Sequence, residues 1–517
     1  MRILTVASAL WRPGPCSRWT TPTERVMIGG NQPSACRWPL SPALVRALFT
    51  RGIAFVYVVA FLSFWRQAHG LIGSHGILPA AAYLEAVALQ LGSLDAVLRL
   101  PTLFWSSAGD TALHVLSGVG VLAALGGLAG VAPALCLTVC WVCYLSIVHA
   151  GQLFFSYQWD ILLLEAGFLA IFWAPLTWRW GLVWPGAPSL VVVWLGRWLL
   201  FRLLWSSGVV KLLSGDPTWR NLTATTFHYE TQPLPLWISH YAHHLPVWIH
   251  HAEVVLVFVI EFVLPFVIFG PRRWRLVAAA GFAALQFLIA VTGNYGFFNL
   301  LTLVLCLALL DTGRRHGIGR ISPVRTWPAT IVVPLAMLLF VLGATNLAAT
   351  TGVSLPGTRW LSPIQRFVTP LHLSNRYGLF ASMTTARPEI VVEGSADGRT
   401  WKTYEFHWKA TDPNRRPGFV PLHMPRLDWQ LWFAALQGYE GAPWFGHFAA
   451  RLLEGEPTVT ELLAVNPFAD TPPRLLRSRL FQYRFSSPAQ RAEGVWWTRS
   501  DPRPYTPVLS LRSPQKE

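Results

Sequence analysis

Charge is scarce in this sequence. Only 13% of the 517 residues are Asp, Glu, Lys or Arg, against 53% hydrophobic, and the mean hydropathy is +0.40. That balance excludes a water-soluble globular protein, whose surface needs far more charge. Acidic residues are the rarer sign, with 25 Asp and Glu against 41 Lys and Arg, a formal net charge of +16. Cysteine is sparse too: there are 6, none beyond Cys306, so the C-terminal third cannot be stapled internally and must cohere by burial. No G-x-S-x-G, Walker loop, Rossmann glycine pattern or paired zinc thiolate stands in a context that would make it chemical, and no cofactor is expected.

What the chain has instead is long apolar runs. A bilayer core takes about 20 apolar helical residues, or about 17 where flanking side chains snorkel. Runs near 48–65, 111–129, 131–150, 158–175, 190–212, 253–270, 276–292, 297–311 and 329–349 meet that need, which predicts about nine spans. The 27 Trp suit helix ends, where an apolar ring body meets the wet headgroup layer.

The excess of positive charge would suit nucleic acid, but the positions of the arginines argue for topology instead. Arg2 to Arg51 precede or open the first run; Arg272, Arg273 and Arg275 follow the sixth; Arg314, Arg315, Arg320 and Arg325 follow the eighth. With a cytoplasmic N-terminus, alternation puts these basic stretches on the cytoplasmic side. The loop 213–252 and everything after residue 350 then face the periplasm, if the membrane is a bacterial inner membrane, or the lumen, if it is the endoplasmic reticulum. The apolar stretch 3–11 is short and is followed at once by Arg and Pro, so no cleavable signal is expected. Residues 1–43 read as a basic, disordered cytoplasmic tail, and 44–350 as the transmembrane domain.

Beyond a linker at 351–384 the periodicity changes. Glu389–Glu393 and Thr400–Trp408 alternate with period two around Asp397-Gly398, a dipeptide suited to hairpin turns. Arg479–Phe485 and Val495–Thr498 are also strand-like, and helices are predicted near 428–437 and 443–453. A β-rich, sandwich-like domain is therefore expected over 385–510, with 511–517 as a tail. The fold class is a polytopic α-helical membrane protein followed by a β-rich C-terminal domain.

Three segments carry more than hydropathy: Ser156–Phe172, Trp219–Pro235 and Pro425–Leu436. The second packs His228, Tyr229, Glu230 and Gln232 into five consecutive positions just after Phe227, more polar chemistry than a simple connection between helices needs. In these strings, taken in order over most of its length, the chain resembles the lipase maturation factor family of polytopic membrane proteins. The resemblance implies a prokaryotic-type member that assists folding and assembly of secreted lipases, a task the family performs in the endoplasmic reticulum. Membrane lipids and a secreted client are the implied partners, and no settled catalytic residues come with the family.

Ionisable groups at membrane depth usually have partners. Asp160 and Glu165 lie about 140° apart on a helix and do not form one site; Asp160 suits a helix amino end. Arg202 is too central to snorkel and calls for Glu165 or Glu261, whereas Lys211 can reach an interface. His228 and Glu230 would point the same way from an extended loop, as an acid–base pair or as part of a hydrogen-bonded buckle holding the loop. The buckle is favoured, because no nucleophile or metal triad stands beside them.

His240 and His244 have metal-sharing spacing, but a third ligand and a general base are missing, so an interfacial His cluster is preferred. Cys136, Cys140 and Cys143 share a helix face and read as small packing residues. Arg426 with Asp428 could anchor the C-terminal domain on the membrane loops while Trp429, Trp432 and Phe433 bury against the β layer. Exposed, those aromatics would be a client-binding patch.

Two functions remain open. One is a membrane-bound maturation helper. The alternative is a membrane enzyme in which Arg202, Lys211, His228, Glu230 and Glu165 line an outward-facing pocket, an architecture distantly similar to vitamin K-dependent carboxylase-like proteins. Convergence of those five on one walled cavity would favour the enzyme, and an exposed apolar surface the helper.

Overall fold

The computed structural model describes residues 40–310, 326–353, 358–420 and 422–511. The expectations for residues 1–39, for Arg314 to Arg325 and for 512–517 lie outside these. The apolar runs form the helices Pro42–Trp65, Asp110–Ala129, Pro133–Ala150, Gln158–Trp173, Leu190–Leu213, Val247–Val267, Arg272–Thr292, Phe298–Leu309 and Ala329–Thr350.

The nine helices differ in length. Among the described residues, seven helices are long and apolar enough to cross a membrane. Gln158–Trp173 has 16 residues, which at helical rise is about 24 Å, short of a hydrocarbon core of about 30 Å. Phe298–Leu309 is shorter still, and both are largely buried among their neighbours. A further apolar pair, Ala80–Leu91 and Ser93–Arg99, falls in a stretch expected to be a loop. It bends by 119° at Gly92, whose φ of +78° suits a residue without Cβ, and would make eight spans if it crosses as one.

The bundle is closely packed. A Cβ on Gly167 would lie 1.9 Å from the Tyr57 hydroxyl, so a glycine is what lets the Pro42–Trp65 and Gln158–Trp173 helices approach. Phe49 stacks on Trp173 with ring centroids 4.1 Å apart.

In the C-terminal region, β1 (Arg387–Ser395), β2 (Lys402–Thr403), β5 (Leu475–Phe485) and β6 (Trp497–Pro504) form an antiparallel sheet in the order β2-β1-β5-β6. The β1–β2 turn holds Gly398 at φ +74°, and Asp397 accepts from the Arg399 and Thr400 amides at 2.8 Å. The second sheet, β3 (Glu405–Phe406) with β4 (Leu463–Val465), has only two strands, and the helix Arg426–Gln437 packs on β1. The region is thus β-rich, with helices supplying much of what a second sheet supplies in a sandwich. One continuous apolar core runs from Phe49 and Leu199 in the bundle to Ile390, Leu431 and Phe448 here.

Candidate functional site

The expected site residues lie where the C-terminal region meets the helical bundle. Arg426, at the start of its helix, donates to both oxygens of Asp160 at 2.8 Å and to the Phe154 carbonyl at 2.6 Å. Tyr144 donates to Asp160 at 2.5 Å, and the guanidinium lies 3.4 Å from the Phe155 ring centroid. Asp160 is therefore no simple helix cap: it is three residues inside the amino end, and its oxygens are committed to Arg426 and Tyr144. Nor does Arg426 pair with Asp428, which turns the other way and accepts the Trp408 and Lys409 amides at 2.9 Å. Burial raises the Asp428 carboxyl above its ordinary range, and those amides oppose the rise.

Arg202 donates to Glu165, so of the two carboxylates proposed for it Glu165 is the partner. The other Glu165 oxygen accepts from the Asn375 amide at 2.9 Å and the Tyr377 hydroxyl at 2.8 Å. Glu261 instead takes Lys211, whose ammonium sits 2.6 Å away and also donates to the Leu379 carbonyl at 3.1 Å. Lys211 is buried rather than snorkelling to an interface. Glu261 lies in a π-helical turn, Val259–Val263, and Gly208 permits the contact, since a Cβ there would stand 3.1 Å from the Glu261 backbone. Asn375, Tyr377 and Leu379 fall in the stretch expected to be a linker; it instead threads the bundle and caps both ion pairs. The polar side chains of Asn375 and Tyr377 within a Gly- and aromatic-containing run were the available signal.

The loop is also more structured than expected. Ala224–Thr231 is a helix, so His228 and Glu230 diverge instead of pointing the same way. Glu230 turns to the β sheet, 3.2 Å from the Phe485 amide, which donates to it, and 3.2 Å from His243 Nε2. His228 lies 3.4 Å from the Tyr295 hydroxyl and edge-on to Phe380. Burial, aided by Lys211, pushes its imidazole down to about 4, away from a proton carrier at neutral pH.

Gln232 is the hub of the buckle. It donates to the Thr292 carbonyl at 2.8 Å and to Ser239 Oγ at 3.1 Å, and accepts from Tyr295 at 3.0 Å. Arg387 of β1, unremarked in the sequence, donates to the carbonyls of Glu230 at 2.8 Å and Pro233 at 3.0 Å and pairs with Glu389 at 2.6 Å. Phe227 contributes its carbonyl to Thr231 Oγ1, and Tyr229 donates to Glu253 at 3.0 Å.

His240 reaches the Ser486 carbonyl at 2.9 Å, and His244 the His240 carbonyl at 2.7 Å, so both rings serve local contacts. Among the described residues, no group of three or more His, Cys, Asp or Glu could hold a metal ion. Trp429 is 4% exposed and packs on Trp159, Tyr157 and Tyr295, while Trp432 donates to the Thr231 carbonyl at 2.9 Å. Trp429 is buried and Trp432 and Phe433 are half-buried, and their ring and hydrogen-bond contacts are with the helical part.

Beneath the joint is a cavity of about 370 Å³, walled by residues from Tyr157, Glu261, Tyr295 and Phe380 to Trp429. None of Arg202, Lys211, His228, Glu230 and Glu165 lines it. The convergence that an enzyme reading requires is thus missing from this cavity.

Fold and joint define a polytopic helical membrane protein whose β-rich region is held to the bundle by the buried ion pair of Arg426 with Asp160. Comparison with known proteins gives the family. Residues 44–316 match the lipase maturation factor transmembrane domain and 373–507 the lipase maturation factor C-terminal domain. The chain is 37% identical to lipase maturation factor 1 of Bos taurus over 501 residues, covering 90% of this chain and 89% of that one. It is 36% identical to lipase maturation factor 2 of Homo sapiens over 598 residues, covering 92% and 84%. The chain belongs to the lipase maturation factor family. No solved structure matches it.

Proposed function

We propose that this protein is a membrane-bound maturation factor that assists the folding and assembly of secreted lipases. The observation that carries the reading is that both parts of the chain match the family in order, with relatives of that name covered over most of their length. In this reading Phe227 to Gln232, Arg426, Asp428, Trp429 and Trp432 act as interdomain contacts that hold the C-terminal domain rigid beside the membrane. A client then meets one preformed surface and not a tethered module. The N-terminus is cytoplasmic, and the loop 213–252 and C-terminal domain face the periplasm or lumen, which places them where a translocated lipase folds.

The test is rescue. Cells lacking their own lipase maturation factors are given this protein and a secreted lipase, and the specific activity of the secreted lipase is measured. Restored activity per unit of lipase mass supports the reading. Unchanged activity with the protein correctly inserted and abundant overturns it.

A further inference from the structure

The cavity beneath the joint has a chemistry of its own. Its walls include the aromatic faces of Trp159, Tyr295, Phe380 and Trp429, drawn from both the bundle and the C-terminal region. Two side-chain amides line it as well: Gln286, 3% exposed, and Asn299, 6% exposed. Gln286 Oε1 and Asn299 Oδ1 are buried and have no hydrogen-bond partner. A buried amide left unmatched is costly, so two in one wall point to a ligand that completes them.

The Tyr157 hydroxyl and the Trp159 and Trp429 indole N–H groups of the wall are likewise without a partner, whereas others are matched. Ser207 donates to the Leu203 carbonyl at 2.8 Å, Thr302 to the Phe298 carbonyl at 3.1 Å, and Glu261 is held by Lys211. The open valences are therefore neutral ones. Phe380 stands at φ +53°, in the left-handed region that a bulky residue enters only when its surroundings hold it, and such strain gathers at ligand sites. The π-helical turn at Val259–Val263 reaches the same wall through Glu261.

We propose that this cavity binds one neutral glycerolipid of the diacylglycerol class. An ester carbonyl accepts from the amide nitrogens, a free hydroxyl donates to an amide oxygen, and hydrocarbon lies on the aromatic faces. A charged headgroup is disfavoured, because the wall offers no unpaired charge to offset its desolvation. The volume sits at the low end of small-molecule sites, about 300–1,000 Å³, and suits the ester head with part of one chain. This proposal stands apart from the maturation reading: it concerns what the membrane part holds, whatever the client.

The full-length protein in detergent micelles is labelled with a photoactivatable diacylglycerol, with unlabelled dioleoylglycerol as competitor. Parallel arms use photoactivatable phosphatidylcholine and oleic acid. The expected result is saturable, competed labelling of peptides around residues 286–302. It should fall at least about five-fold in Gln286→Leu/Asn299→Leu, one hydrogen bond's worth, and further in Ala381→Trp, which fills the cavity from its lining loop. Melting curves check that each variant folds, and the competition on wild type decides the matter if either does not. Labelling that is unsaturable, that is equal with phosphatidylcholine or oleic acid, or that is unchanged in both folded variants overturns the proposal; so does a cavity holding water alone, read as no label.

Discussion

Arg426 and Asp160 stand 266 positions apart in the chain and meet as a two-pronged pair, each prong 2.8 Å. Both side chains are almost completely excluded from solvent. Removing one partner strands a buried charge. Asp160→Asn or Arg426→Met is expected to cost about 3–5 kcal/mol, while the double change Arg426→Met/Asp160→Leu recovers much of the loss. Arg426→Lys should fall between, since an ammonium cannot reproduce the planar fork. Thermal unfolding in detergent measures the series, and an Asp160→Asn protein that melts with the wild type would remove this pair as the clamp.

Gly208 should tolerate little. A side chain there meets the backbone of Glu261 at 3.1 Å, so the π-helical turn must shift or the helices must part. Gly208→Val is expected to destabilise by about 1–3 kcal/mol, with Gly208→Ala milder. The same shift would loosen the contact of Lys211 with Glu261. Melting temperatures of the two variants should therefore rank by side-chain volume; equal values would mean that the contact is slack.

Stability should weaken in mild acid. Burial pushes His228, His243 and His423 each down to about 4. The unfolded chain protonates such groups near its ordinary value of about 6.5. Below that value the unfolded state binds protons that the folded state refuses, so stability is full above about 6.5 and falls as pH drops towards about 4. His228→Gln should flatten this fall relative to wild type. Denaturation midpoints taken across that window test it, and parallel profiles for the two proteins would contradict it.

Asn221 tests the orientation. It is exposed, just after the short helix Pro217–Arg220, and begins the sequon Asn221-Leu222-Thr223. Expressed in a eukaryotic cell, the protein should carry a glycosidase-sensitive mass shift that Asn221→Gln abolishes. A protein that stays unglycosylated while a sequon engineered into the Arg272–Arg275 stretch is modified would have the opposite orientation.

Much of the helical part was legible because hydropathy is a local property. An apolar run of bilayer length is a helix whatever it packs on, and each expected run is helical here. Period-two alternation likewise marked β1, β5 and β6, and Asp397-Gly398 the β1–β2 turn. The polar string Trp219–Pro235 and the Pro425–Leu436 segment singled out the joint by composition.

Partner choice was a different matter. Whether Arg202 takes Glu165 or Glu261, and that Arg426 takes Asp160, depends on which helices lie side by side, and no window of sequence carries that. The loop was read as extended although Ala224–Thr231 is helical, because the short segment is stabilised by packing on its neighbours rather than by its own period. Asn375 and Tyr377 passed as linker because their value lies entirely in Glu165, 210 residues or more upstream. The sequence by itself determined a membrane protein of this family, with its helices, strands and polar strings. Only the tertiary structure decided how its buried charges pair and where it leaves two amides open, because a buried charge or amide is satisfied by whatever the packed chain brings within hydrogen-bond reach.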